Sequence, residues 1–113
     1  MTLQELGTIR QEKLAVKIII LNNRHLGMVR QWQELFFEER YSFVHMDNPD
    51  FNKITDGYHI PNELVEKRED LGGTLDRLLE AKGSYLLDVR VQKDENVFPM
   101  IPSGANIDDI RIK

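Results

Sequence analysis

Hydrophobic positions recur along this chain with two different periods. Leu3, Leu6 and Ile9 fall at helical spacing, and Thr2 followed three residues later by Glu5 fits a capping box, so the chain is expected to open in a helix that Gly7 weakens. Residues 16–21 (VKIIIL) are mostly β-branched and nearly unbroken in apolarity, the pattern of a strand covered on both faces in a parallel sheet. Met28, Trp32, Leu35 and Phe36 then mark one stripe of a second helix, with Arg30, Gln33, Glu34 and Glu38 on its other faces. Asn48-Pro49-Asp50 offers a capping amide, a first-turn proline and an acid near the positive helix end, opening a short helix striped by Phe51, Ile54 and Tyr58 and ended by Gly57. A short strand around residues 64–66 follows. Beyond it come a helix with Leu71, Leu75, Leu78 and Leu79 on one face, weakened by Gly72-Gly73, and a strand over residues 85–91.

Helices alternating with short apolar strands predict an α/β fold, a partial doubly wound and mainly parallel sheet with flanking helices. Parallel sheets are normally buried on both faces, so an inventory of two or three strands reads as part of a larger domain. The pattern divides the chain into an α/β domain over residues 1–93 and an irregular tail over 94–113, rich in Pro, Gly and Asn, which needs a surface to lie against.

Composition narrows the chemistry. A chain of 113 residues makes one domain at most, and its formal net charge of -4 gives no general attraction to nucleic acid or to an anionic membrane. The longest apolar run is too short to span a bilayer and the first residues lack the basic start of a signal peptide, which points to the cytoplasm or an organelle matrix. With no cysteine, thiolate nucleophiles and zinc–cysteine sites are excluded, so any metal must take oxygen or imidazole ligands.

The candidate chemistry sits where the first strand stops. In an open α/β sheet ligands bind beyond the carboxyl ends of the strands, and Asn22-Asn23 lies at such an end. An amide oxygen is a hard neutral ligand suited to magnesium, and the following Gly27 and helix N-terminus favour phosphate. The same residues also suit a plain turn or a helix cap, because asparagine favours both settings. Spacing alone leaves the two readings open.

The run LNNRHLGMVRQWQELFFEERYS, then NPDF, then NVFPMIPSGA near the end, resembles the C-terminal part of the catalytic subunit of the acetohydroxyacid synthases, also called acetolactate synthases. The resemblance covers almost the whole chain, with its motifs in order. It implies the C-terminal part of a thiamine diphosphate-binding domain. Asn23 is then expected to coordinate magnesium through its side-chain oxygen and His25 through its backbone carbonyl. Leu26, Gly27, Met28 and Val29 are expected along the cofactor, and Trp32, Ser103 and Gly104 at the substrate channel. The resemblance also implies the parent's reaction, in which pyruvate is decarboxylated and its two-carbon unit joined to a second 2-oxo acid, giving acetolactate or acetohydroxybutyrate for branched-chain amino-acid biosynthesis. The parent is expected to be a homodimer or tetramer with a small regulatory subunit, and to carry FAD outside this segment.

The family's Gly-Asp-Gly half of the motif falls upstream of the residues matching Met1, and the activating glutamate lies in another domain. The chain alone is therefore expected to be inactive, with no catalytic residue of its own. Two alternatives stand beside this reading: a non-enzymatic α/β module acting through protein contacts, and a piece of a sister thiamine enzyme such as glyoxylate carboligase or pyruvate oxidase. Without the resemblance, Trp32 joins Met28, Leu35 and Phe36 in a core stripe, and His25, His45 and His59, which lack ligand spacing, read as loop or surface residues.

Overall fold

A computed structural model describes residues 2–112, which divide into two compact units. The first comprises residues 2–23 and 47–91, the second residues 24–46 and 92–112.

The first unit is built on a three-stranded parallel sheet. Helix α1 (Glu5–Gln11) leads into strand β1 (Lys17–Asn22), α3 (Phe51–Gly57) into β2 (Asn62–Val65), and α4 (Arg68–Glu80) into β3 (Tyr85–Arg90). The strand order is β1-β3-β2, with Ile20 opposite Asp88, Asn22 opposite Arg90 and Leu64 opposite Asp88. The expected α/β class and parallel pairing are both present. Strand alternation sorts the side chains between two faces. On one, Val65, Leu87 and Val89 pack with Leu78 of α4, joined by Leu71, Leu75 and Tyr85. On the other, Ile18, Ile20 and Leu86 line a hollow with Leu6 of α1 and with Phe51 and Thr55 of α3. Burying a large apolar side chain as fully as Leu78, Leu86 or Leu87 stabilises the unit by roughly 1.5–3 kcal/mol.

Several expectations about ends and faces are corrected. Gln4 is already helical and caps α1 without a side-chain bond, so Thr2 lies outside the cap and contributes only its carbonyl to the Glu5 N–H; the Thr2–Glu5 capping box does not form. β1 is an edge strand that α4 does not cover, which leaves Ile19 and Leu21 exposed, Leu21 at 70%, rather than buried on both faces. Leu79 also faces out, at 71%, because the α4 stripe that meets the sheet runs through Leu71, Leu75 and Leu78. The cap of α3 is Asp50, whose carboxylate accepts from the Lys53 N–H at 3.0 Å, and not Asn48.

Gly57 is the last residue of that helix, as expected, while the left-handed closure falls two residues later. The His59 N–H donates to the Asp56 carbonyl and the Ile60 N–H to the Thr55 carbonyl, a Schellman closure with left-handed His59 (φ 55°) where glycine is usual.

The second unit contains helix α2 (Gly27–Phe36), the loop after it and the tail. The tail is held by a 3-10 turn at Ile107–Asp109 and by paired backbone bonds between Met100 and Arg111. It has a defined anchor. Gln31, only 1% exposed, accepts from the Val97 N–H at 2.8 Å and donates to the Val97 carbonyl at 3.0 Å. The buried position on α2 is therefore Gln31, while Met28, Trp32 and Phe36 remain exposed and Leu35 is half-buried. Among the described residues no helix is long and apolar enough to cross a membrane.

Candidate functional site

At the carboxyl end of β1 the two asparagines behave differently. Asn22 is buried and held from three directions: its Nδ2 donates to Asp88 Oδ2 at 3.3 Å, its Oδ1 accepts from Asn48 Nδ2 at 2.9 Å, and its carbonyl accepts from the Val91 N–H at 3.3 Å. Asn48 is thus drawn from the helix end, where sequence placed it, to the rim of the sheet. Asp88 in turn pairs with Arg90 at 3.3 Å. Asn23, the last residue of the first unit, is half-buried just beyond the strand. The turn-or-cap reading does not hold for Asn22, whose side chain is a lock on the sheet rim.

In the second unit the chain turns at Arg24, whose φ of 54° lies in the left-handed region. A short antiparallel pairing then fixes the backbone about His25: the Leu26 N–H donates to the Val44 carbonyl and the Met46 N–H to the Arg24 carbonyl, both at 2.8 Å. The rings of His25 and His45 meet edge to face with centroids 5.3 Å apart. Sequence spacing gave no signal for this contact, since the two histidines are distant along the chain and meet only through the pairing.

Leu26 caps α2 without a side-chain hydrogen bond, and the first turn contains no acidic residue. The positive end of that helix is uncompensated by any first-turn carboxylate, the setting in which phosphate binds. Leu26, Met28, Val29 and Trp32 are all exposed, Trp32 at 44%, and the Trp32 ring lies edge-on to Phe36 with centroids 6.1 Å apart. An exposed apolar row of this kind can lie along a flat heterocycle.

Ser103 and Gly104 are exposed in a turn closed by the Ala105 N–H to the Pro102 carbonyl at 3.0 Å. Gly104, with φ of 82°, takes the conformation that favours glycine. The tail reaches α2 beside Trp32 along the sequence, through Gln31 and through the Arg111 guanidinium over the Phe36 ring at 4.8 Å.

Among the described residues no three His, Asp or Glu side chains gather as a metal cage. A cation bound by this chain must rely on amide and carbonyl oxygens together with oxygens of its ligand, a donor set that suits magnesium on a diphosphate.

The sequence model of the family described as thiamine pyrophosphate enzyme, C-terminal TPP binding domain, matches residues 1–89. The chain is 44% identical over 107 residues to the acetolactate synthase isozyme 2 large subunit of Escherichia coli (strain K12), covering 94% of this chain and 20% of that protein. It is 49% identical over 104 residues to the mitochondrial acetolactate synthase of Schizosaccharomyces pombe, covering 92% and 16%. Among solved structures, the thiamine diphosphate-dependent 4-hydroxybenzoylformate decarboxylase of Rhodococcus jostii RHA1 superposes with a TM-score of 0.72 at 28% identity, covering 83% of this chain and 18% of that one. The chain thus spans about a fifth or less of the length of these relatives.

Proposed function

The chain belongs to the C-terminal TPP-binding domain family of thiamine pyrophosphate enzymes, and on that premise we propose that it is the cofactor-binding segment of an acetolactate synthase catalytic subunit. The relatives at 44% and 49% identity favour this reading over the sister enzymes and over a non-enzymatic module. The observation that carries it is the placement of Asn23 at the carboxyl end of a parallel strand, followed along the chain by a helix whose N-terminus has neither a side-chain cap nor a first-turn acid.

In this reading the Asn23 side-chain oxygen and, two residues on, the His25 backbone carbonyl are ligands of magnesium. The first turn of α2 supplies N–H groups to the diphosphate, and Leu26, Met28 and Val29 give apolar contact to the rings, with Gly27 allowing close backbone approach. Trp32, Ser103 and Gly104 border the path of the 2-oxo acids. When bound, thiamine diphosphate supplies the electron sink for decarboxylating pyruvate and for joining its two-carbon unit to a second 2-oxo acid. This chain's share is to bind and orient; none of its side chains is assigned as acid, base or nucleophile. FAD, a small regulatory subunit and association of catalytic subunits belong, on the same likeness, to the longer protein.

Calorimetric titration of the chain with thiamine diphosphate, with and without magnesium, tests the reading. Saturable heat that requires the metal is expected. The absence of any such heat contradicts it.

A further inference from the structure

We propose that Asp88 is a positioning residue for the metal: it fixes Asn22, and through Asn22 the strand end from which Asn23 departs. The proposal rests on the reading of Asn23 as a ligand and adds a residue whose side chain is not among the ligands. Asp88 lies on the central strand at 1% exposure, flanked along β3 by Leu86, Leu87 and Val89, at a position where an apolar side chain would suit the packing. Burying a carboxylate is costly unless it is fully paired, and replacing such a pair by well-packed hydrophobic residues is often neutral or stabilising.

The pairing of Asp88 is incomplete. Its Oδ2 takes both Asn22 Nδ2 and Arg90 Nη2, each at 3.3 Å, while its Oδ1 and the Nε of Arg90 are buried without a hydrogen-bonding partner among the protein groups. Stability alone gives little reason for an acid here.

The geometry supplies another reason. Asp88 pairs in register with Ile20, so on the same sheet face it stands diagonal to Asn22, which is opposite Arg90. From there it takes the donor side of the Asn22 amide, as Asn48 takes the acceptor side and the Val91 N–H takes the carbonyl. With side chain and backbone both held, Asn22 has one orientation, and the residue that follows it leaves the sheet in one direction. Groups that orient metal ligands from behind change affinity by roughly 10–100-fold when removed. The adjacent asparagines then divide the work: the first is the lock and the second the ligand.

The test is the magnesium dissociation constant of the chain at saturating thiamine diphosphate, measured by calorimetry at a temperature where circular dichroism shows each variant folded. Asp88→Asn is expected to weaken magnesium roughly 10-fold or more. Asn48→Ala, which removes the other side of the clamp from a half-buried loop residue, is expected to weaken it in the same direction, and it decides the matter should Asp88→Asn fail to fold. Glu63→Gln, on the opposite sheet face, should leave the constant unchanged, which separates positioning from a general loss of stability. Magnesium bound equally well by the wild type and the folded clamp variants overturns the role of Asp88 while leaving the cofactor reading intact. A wild-type chain that takes up no magnesium with thiamine diphosphate overturns the cofactor reading, and this inference with it.

Discussion

Two polar clusters share the three-stranded sheet, and the charges in one are answered far more completely than in the other. On the face covered by α4, Arg77 grips Glu63 through two bonds, Nε at 2.8 Å and Nη2 at 2.6 Å, and the Tyr85 hydroxyl donates to the same carboxylate. On the other face Asp88 meets Asn22 and Arg90 only at 3.3 Å and leaves one oxygen unpartnered. The first cluster ties a helix to the sheet, as a stabilising contact should. The second is more deeply buried yet less well satisfied, and it surrounds the strand end that leads to Asn23. A buried acid left partly unpaired calls for an explanation, and at the carboxyl rim of a parallel sheet the proposed role in fixing Asn22 supplies one, whereas the complete pairing at the helix contact is explained by stability alone.

The largest effect on stability is expected from Asp88→Ala, which leaves Arg90 without its buried partner and should cost about 3–5 kcal/mol in chemical denaturation. Replacing both members, Asp88→Leu with Arg90→Met, should recover most or all of that loss, because no lone charge remains. A double replacement as damaging as the single one would make the cluster a structural element like its counterpart and erase the contrast.

A smaller effect is expected at Glu63. The Arg77 guanidinium, and next the Tyr85 hydroxyl, lower its carboxyl from the ordinary 4.5 to about 2. The Glu63 carboxylate raises the Arg77 pKa in return, and burial, reinforced by the same carboxylate, raises that of the Tyr85 hydroxyl. A lowered folded-state value means that the stabilisation is fully present above pH 4.5 and is lost as the pH falls toward 2. Because the pair is partly solvated, the loss in Glu63→Gln should be under about 1 kcal/mol at neutral pH. Its clearer signature is a flatter stability profile between pH 4.5 and 2 in acid denaturation.

The legible features were those set by local chemistry. The β-branched run before Asn22, the leucine spacing of α4 and the apolar core of residues 85–91 each announce an element, and the alternation of elements announces a parallel sheet. Features set by distant partners were not legible. Ile19 and Leu21 are as apolar as any core residue, but β1 lies at the sheet edge, where α4 does not reach. Asn48 has the chemistry of a cap and was taken instead by an amide 26 positions away. Gln31 reads as a polar helix residue until the tail returns to it. For Asp88 there was a signal, an acid inside an otherwise apolar strand, which pattern reading passes over as an interruption.

The most direct test of Asn23 as ligand replaces magnesium with manganese in the presence of thiamine diphosphate and follows paramagnetic broadening of the assigned side-chain amide resonances by NMR. The Asn23 amide should broaden first and most strongly, ahead of Asn22 and Asn48. Broadening that spares Asn23 while other residues lose their signals would contradict its role as the metal ligand.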